Sequence, residues 1–524
     1  MSGLGQLLRV NEISFLLQPL STIAAAVFII FLLFKWLCQP SMKQHYSPPS
    51  PPKLPIIGNL HQLGLLPHRS LHALAKRYGP LMLLHFGKVP VLVVSSDDAA
   101  RLIMRSHDSI FANRPKTTPA QKLLYDGKDV ALSPEQNEYW RQIKSICVLH
   151  LLSNKRVRSF HNVREEETAL MIQKIKRLSS SSLPINLSEV LCTLTNDIVC
   201  RVSMGRKYSD EEAGRKFMKL LGKIEELLGT FHVGDYVPWL AWVCRFNGLD
   251  AVLEKVAKET DEFLERVIEE HENRMIMNNK KATDQTASEG EDQKNIMDVL
   301  LWIQKSNMYV KSIDRVSIKA IILDMFGAGT DTTYTLLEWT MTELLRHPDI
   351  MKRTQNEVRG IVGDKSDITE EDLDKMHYLN AVIKEILRFH TPIPLLLPRE
   401  SNQDIKIQGY DIPAGTQVII NYWTIGRDPA LWDQPEEFRP ERFLNSSLDF
   451  HGRDFRFIPF GAGRRGCPGI QFGMRIAELA LANLLKKFDW SLPAGVSGEE
   501  LDMTEAASVT VHKKSPLFAM ATPY

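Results

Sequence analysis

"FGAGRRGCPG", Phe460 to Gly469, carries Gly461, Gly463 and Gly466 at the G-x-G-x-x-G spacing of a dinucleotide-binding turn, and Cys467 follows one residue later. The two features point to different folds. A phosphate cradle needs a strand before the glycines, a helix after them and an acidic residue about 20 positions on, all inside a βαβ unit. A helical pattern does follow and Asp489 stands at a suitable distance, but no βαβ partner strands surround this segment near the carboxyl end. Cys467 instead precedes Pro468, a residue favoured at the first position of a helix. That places the sulfur at a helix amino terminus, where free N–H groups and the positive end of the dipole stabilise a thiolate. Flanking glycines let the backbone approach a flat ligand and aim amides at the sulfur. A lone cysteine ligand suits haem iron better than zinc. A buried structural cysteine in a turn is the other reading these ten residues allow.

Outward from the loop the chain reads as mostly helical. Residues 470–487 continue as a helix. Upstream, residues 313–347 form one long helical pattern and "KMHYLNAVIKEILRFH" a second, stopped by Pro392, Pro394 and Pro398. "IKIQGYDIPAGTQVIINYW" is strand-rich, and "PLMLLHFG" and "VPVLVVSS" read as two strands joined at Gly87 and Lys88. Residues 97–274 return apolar side chains every three or four positions, and the polar stretch 278–295 reads as an exposed loop. The order is that of a mainly α protein with a minor β part, not the alternation of a doubly wound sheet.

Lys+Arg 64 against Asp+Glu 63 leaves a net charge of +1, which gives no electrostatic case for nucleic acid. Six cysteines without a C-x-x-C pair suggest reduced thiols and neither a disulfide framework nor a zinc ribbon. The sequons at Asn186 and Asn445 are short motifs that arise often by chance. Residues 13–34 are free of charge, long enough to span ~30 Å of hydrocarbon, and no small-residue cleavage site follows before Lys35 and Trp36. The reading is a retained anchor over residues 1–40, then a proline-rich hinge over 41–58 and a single catalytic domain over 59–524. Lys35, Lys43 and Lys53 after the span place that domain in the cytoplasm.

Phe460, Gly463, Arg465, Cys467 and Gly469 have the F-x-x-G-x-R-x-C-x-G spacing of a haem-binding loop, and from Pro48 to Lys514 the chain resembles the cytochrome P-450 family. Its proline-rich entry and its loop look like those of plant microsomal A-type enzymes of specialised metabolism. The resemblance implies a triangular helical body with small β-sheets, preceded by one transmembrane helix. It implies haem b (iron protoporphyrin IX) with Cys467 as axial iron ligand and Phe460 beside it. Trp140, Lys144, Arg399 and Arg465 are the implied propionate partners; the family commonly has arginine where Lys144 stands, and Arg141 is positioned to compensate. Glu385 and Arg388 are a helical i, i+3 pair worth only ~0.2–0.5 kcal/mol if exposed. By resemblance they join Arg442 of "FRPERF" in a buried structural triad.

In "AGTDTT", the Thr332 hydroxyl could simply bond back to the Ala328 carbonyl. The resemblance instead implies that Asp331 and Thr332 deliver protons for dioxygen reduction, with Ala328 and Gly329 leaving room for the oxygen. Substrate contacts are expected in residues 116–130, 324–332, 393–397 and 508–509, with Leu124, Ala328, Pro394, Leu395 and Val509 as named candidates. The expected activity is a monooxygenase of the endoplasmic reticulum membrane, single-pass, hydroxylating a small lipophilic plant secondary metabolite. It would use O2 and NADPH electrons from a separate NADPH–cytochrome reductase, since nothing here looks like a flavin or nicotinamide site. Alternatives are aldoxime dehydration, oxidative cyclisation, C–C cleavage or desaturation at the same haem, or non-catalytic binding of a hydrophobic ligand.

Overall fold

The computed structural model describes residues 26–28, 31, 46–134, 137–208, 212–282, 294–306, 313–365 and 367–524. Eight helices surround or buttress one large cavity: α1 (Glu138–Ile146), α2 (Leu187–Met204), α3 (Glu212–Leu228), α4 (Leu249–Ala282), α5 (Arg315–Arg346), α6 (Pro348–Val362), α7 (His377–Phe389) and α8 (Ile470–Lys487). Helix α5 is buried on nearly every face, including polar side chains such as Lys319, Thr333 and Glu338. Asp314 caps it by accepting from the Ser317 N–H at 2.7 Å. Helices α2, α7 and α8 pack directly on α5, and α3 crosses it. Helix α4 runs to Ala282, so the polar stretch taken as a loop from residue 278 begins as helix, and residues 283–293 lie outside the described residues.

The β part is small. Strands β1 (Leu81–Phe86) and β2 (Val89–Val94) form the expected hairpin, and β3 (Ile185–Asn186) lies apart from it. β4 (Arg399–Glu400), β5 (Ile405–Ile407), β6 (Tyr410–Ile412) and β7 (Gln417–Ile420) follow, then β8 (Phe488–Ser491) and β9 (Phe518–Pro523). One sheet runs β1-β2-β7-β4, with Val91 to Val94 parallel to Gln417 to Ile420 and Arg399 opposite Val418. This pairing carries Arg399 to the cavity edge.

The hinge is docked from its proline run onward. The Leu83 N–H donates to Pro49 O at 2.9 Å, and the buried Asn59 amide donates to Pro51 O and Pro52 O at 3.3 Å while its oxygen accepts from the His85 N–H at 2.8 Å. Only residues 26–28 and 31 of the charge-free run are described, as exposed helix; the rest of the anchor lies outside the described residues. Among the described residues no helix is long and apolar enough to cross a membrane. The five described cysteines are unpaired.

Candidate active site

The glycines of the opening loop have distinct duties. Gly461 and Gly463 hold φ +67° and +70°, which other residues rarely adopt, and a Cβ at Gly463 would meet the Met104 carbonyl oxygen at 2.3 Å. Gly463 thus serves close contact with the backbone at Met104 and not the approach of a ligand. The Cys467 N–H donates to Phe460 O at 3.0 Å, and the Gly469 N–H donates to the Cys467 sulfur at 3.3 Å. The expected position of Pro468 is shifted: α8 starts at Ile470 with Gly469 as its cap, so the sulfur stands just before the helix. It still faces the free end of α8 and opens onto the cavity. Burial raises the thiol's pKa, while the Gly469 amide and the Lys144 charge pull it down.

The cavity offers the centre of a water molecule about 240 Å³ and is lined by Cys467, Phe460, Trp140, Lys144, Arg399 and Arg465, and by Arg114, which the sequence reading missed. Arg114 lies in "FANRP" without periodicity and carries no sequence signal that marks it. These cations give their N–H groups largely to backbone carbonyls. Arg114 donates to Leu397 O and Pro398 O at 2.7 Å, Lys144 to Gly466 O at 2.7 Å, and Arg465 to Ala112 O at 2.7 Å and Ser133 O at 2.8 Å. Arg399 donates to Asp108 at 2.9 Å and to Ala462 O at 2.7 Å. Trp140 reaches the site, but its indole N–H is taken by Val130 O at 3.0 Å, and its ring lies 3.9 Å from the Arg465 guanidinium.

Carbonyls solvate a cation without cancelling its charge. Burial, then the charges of Arg465 and Arg399, hold Arg114 well below its ordinary range, and burial brings Arg465 down to about 10. Burial and neighbouring Asp129 push the Asp324 carboxyl up, while the Val130 and Ala131 amides and the Lys144 charge pull it down. Arg114, Lys144, Arg399 and Arg465 are four basic side chains in a lining whose one carboxyl, among the described residues, is that of Asp324. This preponderance of basic side chains fits a ligand with two carboxylates, and the Cys467 sulfur stands in the same cavity. The residues present fit a haem.

Thr332, Ala328, Gly329 and Asp324 of α5 line the cavity. The Thr332 hydroxyl donates to Ala328 O at 2.6 Å, the back-bond its position allowed. The missing Cβ of Gly329 gives room to Val199 of α2, whose Cγ2 it would meet at 3.2 Å. Asp331 does not line the cavity: one residue along a helix turns its carboxyl away, toward the Thr510 hydroxyl and the charge of Glu225 on α3. Burial raises the Asp331 pKa and takes Glu225 to about 8.

Of the five named substrate contacts only Ala328 lines the cavity. Leu124 is core, Leu395 packs into a cluster with Leu71 and Met82, the Pro394 carbonyl accepts from Trp423, and Val509 lies against Gly229. Ile393, Leu396 and Leu397 take those places. Behind the loop Glu385, Arg388 and Arg442 meet. Arg388 donates to both Glu385 oxygens at 2.7 and 2.8 Å, and Arg442 Nε to Glu385 Oε1 at 3.1 Å.

The Cytochrome P450 family model matches residues 48–520. The chain is 58% identical over 522 residues to cytochrome P450 736A117 of Prunus mume, covering 98% of both chains. It is 55% identical over 513 residues to norfluorocurarine oxidase of a Strychnos species, covering 97% of this chain and 98% of that one. A zebrafish cytochrome P450 solved with progesterone matches with a TM-score of 0.73 at 26% identity, over 88% of this chain and 100% of that one. With its helical body, its cysteine cavity and these matches, the chain belongs to the cytochrome P450 family of haem monooxygenases and is an oxidoreductase.

Proposed function

We propose that the cavity would hold haem b with Cys467 supplying the sulfur ligand to its iron, and that the protein oxidises, most simply by hydroxylation, a small lipophilic plant metabolite with O2. The carrying observation is the Cys467 sulfur in a cavity also lined by Arg114, Lys144, Arg399 and Arg465, against the single carboxyl of Asp324 among the described lining residues. Arg114, Lys144, Arg399 and Arg465 hold the propionates. When bound, the haem would supply oxygen activation, tuned by a thiolate ligand. Ile393, Leu396, Leu397 and Ala328 present an apolar surface that orients the substrate and excludes water. The Strychnos relative, named an oxidase, supports oxidation as the reaction.

Thr332 would hold a proton at the cavity, its hydroxyl donating to Ala328 O at 2.6 Å, while Asp331, bonded to Thr510, has no direct link to it. Thr332→Ala is expected to lower product per NADPH by about tenfold, with peroxide making up the difference, the modest end of what a positioned proton donor contributes. Fully coupled turnover, measured as NADPH, peroxide and product together, would remove Thr332 from that role.

Electrons come from NADPH through a separate reductase. Exposed Arg141 on α1 and Arg464 in the loop flank the Lys144–Gly466 link and present positive charge beside the sulfur side of the site. Arg141→Gln with Arg464→Gln is expected to raise the reductase concentration for half-maximal NADPH oxidation about fivefold at low salt, and little at high salt. An effect indifferent to salt counts against docking there.

The protein is proposed to sit on the endoplasmic reticulum membrane, anchored by the single span at residues 13–34, with its catalytic domain in the cytoplasm. Exposed Leu54, Ile57 and Leu65 near the anchor, and Trp239, Trp242 and Phe246, support a surface that meets lipid.

A further inference from the structure

We propose that Trp339 and His390, neither of which lines the cavity, are positioning residues that set the apolar wall of Pro392, Ile393, Leu396 and Leu397, and so the size of substrate admitted. The inference rests on reading that cavity as the haem and substrate chamber.

The wall leaves α7 after Phe389, and Pro392, Pro394 and Pro398 bar it from helix or sheet ladder. Within it only the Leu396 N–H bonds back, to Ile393 O at 3.1 Å. Leu396 holds φ +51°, a left-handed conformation that a leucine keeps only where its surroundings over-determine it. The wall therefore takes its position from outside.

The Trp423 N–H holds Pro394 O at 3.0 Å and Arg114 holds Leu397 O at 2.7 Å, and two further ties, at His390 and at Pro392, both end on one indole. The His390 ring stacks flat on Trp339 of α5, with centroids 4.0 Å apart and planes at 4°. Its Nε2 meets Glu343 Oε1 at 2.6 Å, and the fully buried Glu343 is fixed by Arg346 and His347 at 3.3 Å. Toward Pro392, Trp339 Nε1 donates to Val511 O at 3.0 Å, and the Val511 N–H donates to Pro392 O at 2.8 Å. Trp339 stands on the helix whose Ala328, Gly329 and Thr332 form the facing wall. The indole thus fixes the spacing between the two.

The test is optical titration of the haem-loaded protein with two azoles. Imidazole needs only access to iron, whereas 4-phenylimidazole must also fit beside the wall. In Trp339→Phe, which removes the Nε1 donor, and His390→Phe, which keeps a ring but loses the Glu343 bond, the Kd for 4-phenylimidazole is expected to change about tenfold and that for imidazole to stay within about twofold. His390→Gln, which keeps a donor, should return part of the difference. Unchanged values for both azoles, or equal changes in both, would overturn the positioning role while leaving the haem reading intact. If neither azole shifts the spectrum of the unsubstituted protein, the reading of the cavity fails and takes this inference with it. Should His390→Phe not fold, Trp339→Phe carries the same comparison.

Discussion

Cys467→Ala is expected to abolish the carbon monoxide difference spectrum of a thiolate-ligated haem, an all-or-none effect. Ligation requires the sulfur to lose its proton, and the site supplies the means: the Gly469 amide at 3.3 Å and the Lys144 charge favour the thiolate against the burial that opposes it. Alanine keeps the loop and removes the donor. The sharpest control is Cys147, which also lines the cavity and whose thiol burial pushes up to about 12. Cys147→Ser should retain the spectrum. An unchanged spectrum in Cys467→Ala, or loss in Cys147→Ser alone, would move the ligand assignment.

Glu385→Ala should be the most damaging substitution outside the cavity. Glu385 and Arg388 are fully buried, and the carboxylate also accepts from the Arg439 N–H at 2.8 Å and from Arg442. Arg388 in turn holds Gly426 O at 2.6 Å and Pro435 O at 2.8 Å, so the network ties α7 to the segment that leads into the cysteine loop. Removing the acid leaves two guanidiniums facing each other, and breaking a buried pair this way costs ~3–5 kcal/mol. Thermal unfolding followed at the haem band, with limited proteolysis around residues 433–443, measures it. A midpoint lowered no more than loss of an exposed pair would lower it, ~0.5 kcal/mol, would make the triad incidental.

Local signals carried far because they are covalent or periodic. The boundaries of α8, the hairpin β1-β2 and the long run of α5 follow from apolar spacing and from where glycine and proline stand. Cys467 was legible because its neighbours are close in sequence. Arg114 was not, since its charge acquires meaning only beside Arg399 and Arg465, nearly 300 and about 350 positions away, brought together by the β4-β7 pairing and the loop's packing on the backbone at Met104. The substrate wall misled for a related reason: residues 392–397 turn in and out in pairs, Pro392 and Ile393 facing in, Pro394 and Leu395 out, and Leu396 and Leu397 in again.

The amino-acid sequence alone determined the helical class and the apolar run at residues 13–34, because each depends on spacing within a segment, and its resemblance named Cys467 as the candidate ligand and Glu385, Arg388 and Arg442 as the triad that the structure brings together. Only the tertiary structure decided that Asp331 turns toward Glu225, that Gly329 admits Val199, and that Trp339 braces a wall it does not join. Those depend on which distant surfaces meet, and burial, hydrogen bonding and like-charge repulsion act on that meeting rather than on the order of residues.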